Sequence, residues 1–374
     1  MSKPIRVAQI IGEAPNGGVE SVIMNYYRFL DKNKFQFDFF VNNESDIIQK
    51  SQIESMGGRV VIIPPYKKNL VKFERFLKDK FSENKYLVVH SNMNTLSYFV
   101  LRAAKNAGVP IRIAHSHSTS NKKELFRNLA KNVLKVLSRK NANAFLACSE
   151  LAGKWLFGRK FFEAGQVRVI NNGIDLDRFQ FSEENRKGVR EEYLIGENSF
   201  VVGTVGRFVK QKNQKFMIDV FFEIYKENPD SYLLLVGDGP LKKQLHEQVC
   251  SLGLDEHVIF AGVHKHPEKY YSAMDVFLLT SLYEGLPVVG VEAQTNGLSC
   301  YFSDNITSES KIFDCQYYSL SLSAKDWARK ILLNHAIIDR KQNYLALFNS
   351  RYDIKKQAKK LESFYLSELE KYNK

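Results

Sequence analysis

The chain has 374 residues, 44% of them hydrophobic and 25% charged, a composition that suits a globular protein of two domains and excludes a disordered or fibrous one. No apolar run of about 18 residues is present, so no membrane span is expected, and MSKPIRVAQIIGEAPNGG reads as a first strand and glycine turn, not a signal peptide. The net charge of +13 is uneven: residues 1–180 hold 29 Lys and Arg against 15 Asp and Glu, leaving 25 against 26 for the rest, so the first half suits an anionic partner.

In chain order, apolar β-rich runs fall at 5–11, 35–41, 59–64, 86–91, 111–116, 144–149 and 167–171, with amphipathic stretches at 18–30, 68–81, 94–107 and 122–138 between them. Alternation of this kind predicts a parallel sheet covered on both faces. After the polar stretch 181–193 the pattern restarts, with runs at 199–206, 232–237, 258–262, 275–280 and 299–303. Three segments are therefore expected: a domain over 1–180, a second over 181–352, and an amphipathic helix over 353–374 that packs back toward the first. In that tail Ile354, Ala358, Leu361, Phe364, Tyr365 and Leu369 recur at helical spacing. The four cysteines, Cys148, Cys250, Cys300 and Cys315, form no C-x-x-C pair, which fits a reduced, cytoplasmic setting.

The motifs follow the same order. NGGVESVIMNYYRFL (16–30) places Gly17 and Gly18 between the first strand and a helix, where they serve either a tight turn or a phosphate or acceptor that touches the main chain. RIAHSHSTS (112–120) ends a strand with His115 and His117, which are either satisfied structural histidines or part of a site. In 121–140, Lys123, Arg127, Lys131, Lys135 and Arg139 recur every four residues beside apolar positions. Such a helix either rests on anionic lipid or shows water a solvated basic face. VINNGIDLDRF (169–179) reads as a strand entering the interdomain crossover.

In the second half, GTVGRFVKQKNQ (203–214) carries Arg207 and Lys212 just before a helix. Two cations at a helix N-terminus suit a diphosphate, although a solvated basic loop has the same composition. LLLVGDGPLKKQL (233–245) is read as architecture, since it lacks a full phosphate-loop motif. SLYEGLPVVGVEAQTNG (281–297) offers Glu284, Gly285 and, seven residues on, Glu292, among small apolar neighbours that bury the carboxylates. If the helix already includes Gly285, Gly285 and Glu292 share a face about 10 Å apart.

In order and spacing, the GG turn at 17–18, the strand-end His117, NGID at 172–175, GR-x4-K at 206–212, GDGP at 237–240 and E-x7-E at 284–292 together resemble the retaining GT-B glycosyltransferases of the large bacterial capsule and exopolysaccharide family, family 4-like. The resemblance implies an α/β fold of two Rossmann-like, doubly wound parallel-sheet domains facing a cleft, the first binding acceptor and the second binding nucleotide sugar. Carried across, Arg207 and Lys212 would hold the donor diphosphate, Glu292 the ribose, and Glu284 with Gly285 and Leu286 the transferred sugar. Gly17, Gly18 and Val263 would complete the donor site, and His117, with His115 second to it, would line the catalytic cleft. His117, Arg207, Lys212 and Glu284 are the expected catalytic set. One departure is Gly297-Leu298-Ser299, where the family usually has Gly-x-Pro.

The implied reaction is metal-free, retaining transfer of a hexosyl or N-acetylhexosaminyl group from a UDP-type donor to a glycan or lipid-linked acceptor, with no cofactor and no nucleic acid. It would take place in the cytoplasm or against the inner face of the membrane. Preorganised cations would stabilise the charge that grows on the departing diphosphate. The alternatives are a nucleotide-sugar epimerase of similar fold and a non-catalytic partner subunit.

Overall fold

The computed structural model describes residues 3–12, 18–42, 50–117, 134–137, 139–312, 315–335, 340 and 350–373. The chain forms two compact units, Met1–Gly173 with Ile354–Lys374, and Ile174–Asp353. Residues 174–180, expected in the first domain, thus belong to the second. Ile174 N donates to Tyr352 O at 2.7 Å and Phe179 packs edge-on against Tyr271, and both contacts lie inside that unit.

The first unit holds seven strands: β1 (Ile5–Gly12), β2 (Phe35–Asn42), β3 (Arg59–Ile63), β4 (Val88–Ser91), β5 (Ile111–Ser116), β6 (Ala144–Ala147) and β7 (Arg168–Val169). They pair in the order β3-β2-β1-β4-β5-β6-β7, and every pairing is parallel. All eight residues of β2, FQFDFFVN, are buried, as a strand covered on both faces requires. Its one charge is satisfied: Asp38 accepts from the Arg6 guanidinium and, at 2.6 Å, from the Tyr86 hydroxyl.

On one face the helix Leu70–Glu83 buries Phe73, Leu77 and Phe81, spaced four apart, and begins where the Asn69 side chain accepts from Lys72 N. Elsewhere in the unit the helix Gly18–Phe29 packs with the helix Ile354–Asn373. Tyr365 of the latter meets the rings of Phe35 and Phe37 on β2 at 5.3 and 6.3 Å. Each of the six apolar positions expected to form that helix's stripe is buried.

The second unit holds β8 (Phe200–Val205), β9 (Ser231–Val236), β10 (Val258–Gly262), β11 (Val276–Leu279), β12 (Ser299–Ser303) and β13 (Cys315–Tyr318), in the order β10-β9-β8-β11-β12-β13 and again all parallel. The edge strand β13 was not anticipated. Its sequence CQYY is short and only its first residue is buried, so no continuous apolar run marks it.

The turns after β8 and β9 touch backbone to backbone. Phe208 N donates to Asp238 O at 2.8 Å, and a Cβ on Gly237 (φ +146) would lie 2.0 Å from Gly206 O. GDGP therefore buttresses the Arg207 loop, and Gly237 is required both by that approach and by its backbone angle.

Candidate functional site

The sheet of the second unit delivers two loops at strand C-terminal ends, where open parallel sheets form ligand crevices. After β8 the chain passes Gly206, the exposed Arg207 and the fully buried Phe208, makes one tight turn over Lys210–Lys212, and enters the helix Gln214–Glu227 through Asn213, whose backbone is left-handed. The Asn213 side chain does not cap the helix. Arg207 has no side-chain hydrogen bond or ion pair among the described residues, so its guanidinium is free to meet a ligand.

After β11 the second loop is stitched to the first. Leu282 N donates to Gln211 O at 2.8 Å, and Thr280 Oγ1 donates to Asn213 O at 3.0 Å. Glu284 sits at the join: Lys212 Nζ reaches its Oε1 at 2.6 Å, Ser281 Oγ donates to the same oxygen at 2.9 Å, and Gln211 Nε2 reaches Oε2 at 3.3 Å. Both charges are largely removed from water, with Lys212 18% and Glu284 9% exposed. Gly285 and Leu286 are buried beside them.

The next helix begins only at Val288, behind Pro287 at its N-cap. Gly285 is therefore outside it, and the shared face inferred for Gly285 and Glu292 does not exist. Glu292 is on that helix and buried, and its Oε2 accepts from the hydroxyl of the wholly buried Tyr271 at 2.7 Å. Burial pushes its carboxyl up to about 7, with the Tyr271 hydrogen bond and the charges of Arg178 and Lys212 acting against the rise.

Lys212 and Glu284 are thus in direct contact, Arg207 shares the Lys212 loop, and Glu292 feels the Lys212 charge. Val263 follows β10 as an exposed residue, two strands away from β8, and it makes none of these contacts. Gly18 begins a helix of the first unit, and Gly17 lies outside the described residues.

His115 and His117 belong to the first unit and are both buried. Their rings lie 3.9 Å apart, and His117 Nε2 is 2.8 Å from Asn92 Oδ1. Most of the proposed lipid-facing helix, including Lys123, Arg127 and Lys131, is outside the described residues. Lys135 stands over the Trp155 ring at 4.2 Å, and Arg139 Nη1 donates to Phe157 O at 3.0 Å.

Tyr271, Ser281 and Gln211, the partners of the two glutamates, carry no local signal that marks them as such. Gln211 has only its adjacency to Lys212 to suggest it. Among the described residues no three or more His, Cys, Asp or Glu side chains are grouped to hold a metal ion, and no helix is long and apolar enough to cross a membrane.

Two all-parallel Rossmann-like sheets, with cations and carboxylates at strand ends of the second, define the GT-B class. Residues 16–178 match the family described as Glycosyltransferase Family 4, and residues 185–331 match Glycosyl transferases group 1. EpsF of Bacillus subtilis (strain 168), a glycosyltransferase by name, is 35% identical over 311 residues, which is 81% of this chain and 80% of EpsF. The capsular polysaccharide biosynthesis glycosyltransferase CapH of Staphylococcus aureus is 27% identical over 97% of this chain and 99% of its own. HepE of Anabaena, crystallised in complex with UDP-glucose, has the same fold, with a TM-score of 0.78 and 20% identity over 97% of this chain and 100% of HepE. The chain belongs to the GT-B glycosyltransferases of family 4 and group 1.

Proposed function

We propose that the chain transfers a hexosyl or N-acetylhexosaminyl group, with retention and without a metal, from a UDP-sugar to a glycan or lipid-linked acceptor in capsular or exopolysaccharide synthesis. The observation that carries this reading is the free Arg207 beside the Lys212–Glu284 pair at an uncapped helix N-terminus. Arg207, Lys212 and the helix amides would take the diphosphate. Glu284 and the main chain of Gly285 and Leu286 would take the sugar, and Glu292, already holding one hydroxyl donor in Tyr271, would accept from the ribose.

The diphosphate becomes more negative as the glycosidic bond breaks, so these cations would bind it more tightly in the transition state. The departing phosphate would then deprotonate the acceptor hydroxyl on the same face. CapH supports the polysaccharide assignment and UDP-bound HepE supports the choice of donor. The basic surplus of the first half supports contact with an anionic lipid surface through 122–140.

A panel of nucleotide sugars titrated in EDTA tests the reading. UDP-sugars should bind and raise thermal stability, and wild-type affinity in Arg207→Ala would remove the proposed diphosphate site.

A further inference from the structure

In the first unit a cavity of about 10 Å³ lies among the sheet and the helices Gly18–Phe29 and Ile354–Asn373, lined by Gln9, Tyr26, His90, Asn92, His115 and His117 among others. That volume suits about one water molecule. Three clustered imidazoles suggest a metal site at first sight, and their hydrogen bonds point to a different occupant.

The polarity of the network follows from one backbone carbonyl. Asn92 Nδ2 lies 3.4 Å from His90 O, which can only accept. The amide is thereby oriented: Oδ1 accepts from His117 Nε2 at 2.8 Å, and Nδ2 donates to Gln9 Oε1 at 3.0 Å. Gln9 Nε2 then donates to the Tyr365 hydroxyl oxygen at 2.9 Å and turns its second hydrogen toward His90 Nδ1, 3.4 Å away. The Tyr365 proton is left to donate to the same His90 Nδ1, at 2.7 Å.

Burial pulls His90 and His117 down to about 3 and His115 well below its ordinary value, so all three rings are neutral at neutral pH. With Nδ1 accepting, His90 carries its proton on Nε2 and donates to His115 Nδ1 at 2.9 Å. His115 is then protonated at Nε2, while His117, protonated at Nε2, keeps a lone pair on Nδ1. Those two atoms, His115 Nε2 and His117 Nδ1, are the buried ring nitrogens of this cluster with no hydrogen-bond partner among the described residues.

We infer that Gln9 and Tyr365 are positioning residues that lock His115 in the Nε2–H tautomer. His115 and His117 then offer the cavity one N–H donor and one lone pair, the complement of a single bound water molecule. A cation is refused, because the His115 nitrogen that would ligate it already carries a proton. The inference concerns the wiring of the first unit and does not depend on which sugar, if any, the second unit binds.

Nitrogen-15 spectra of histidine-labelled full-length protein read each ring's tautomer directly, with assignment by single histidine replacements. The expected result is a pyrrole-type Nε2 and a pyridine-type Nδ1 on His90, His115 and His117, together with an Overhauser contact from His115 Nε2–H to a slowly exchanging water. In Tyr365→Phe, His90 and His115 should lose their single tautomer while His117, held by Asn92, keeps its own. A uniform loss of packing would not produce that split. His115 protonated at Nδ1 in the wild type, stoichiometric zinc binding at these rings, or unchanged His90 and His115 signals in folded Tyr365→Phe would each overturn the inference.

Discussion

Replacing Arg207 and Lys212 one at a time by alanine should separate binding of a ligand from support of the fold. Lys212 holds the Glu284 carboxylate at 2.6 Å, with 18% and 9% of the two side chains exposed, so Lys212→Ala takes the cation away from a buried carboxylate to which the neutral Ser281 and Gln211 still donate. Removing one member of a buried pair costs about 3–5 kcal/mol, and the residual exposure of Lys212 brings the expectation to about 2–3 kcal/mol. Arg207 is exposed with no side-chain partner among the described residues, and Arg207→Ala should leave stability within about 0.5 kcal/mol of wild type.

Both variants should lose a charge-assisted contact to the donor diphosphate worth roughly 1.5–3 kcal/mol, or about 10–100-fold, in kcat as well as KM. Urea unfolding gives the first quantity, and steady-state kinetics at saturating acceptor give the second. Adding Glu284→Gln to Lys212→Ala should restore part of the lost stability, because the carboxylate left without its lysine is then gone. Equal destabilisation by the two single variants would rule out the buried Lys212–Glu284 pair as the difference between them, and wild-type kinetics in Arg207→Ala would rule out its contact with the diphosphate.

Glu292 is raised to about 7 from an ordinary value of 4.5, so the stability this imparts is fully present below about pH 4.5 and is lost as pH rises through 7. Glu292→Gln should remove that slope, worth at most about 3 kcal/mol between pH 4.5 and 8, as measured by unfolding midpoints across that range. Gly237→Ala would force a Cβ to within 2.0 Å of Gly206 O at a φ of +146, and should cost about 3 kcal/mol or more together with the order of the Arg207 loop, as read by unfolding and hydrogen exchange. Turnover should persist in excess EDTA, and full loss restored only by a divalent ion would count against the metal-free reading.

Legibility in the sequence followed the range of the interactions. Leu233–Val236 is a buried, unbroken apolar run, and FQFDFFV is apolar at five of seven positions with its Gln36 and Asp38 buried as well, so the two sheets could be read directly. The edge strand β13 is half polar and left no such trace. The shared face considered for Gly285 and Glu292, seven residues apart, required a helix that already includes Gly285, whereas Pro287 is the N-cap and the helix starts at Val288.

The charged residues of the second unit were visible as types in a pattern, but their partners were not. Glu292 is held by Tyr271 from another helix, and His90 by Tyr365, 275 residues away. No local spacing encodes such pairs, because the partners lie on different elements and meet only in the folded unit.

Sugar transfer from a nucleotide-diphosphate donor is measured most directly by its stoichiometry. Purified protein is incubated in EDTA with a UDP-sugar that binds and with an extract of lipid-linked glycan acceptors, and both UDP release and new glycosidic bonds are counted. One UDP should be released for each bond formed, with both signals abolished in the Arg207→Ala/Lys212→Ala double variant. A donor returned as its epimer with no UDP released in proportion to acceptor would contradict sugar transfer.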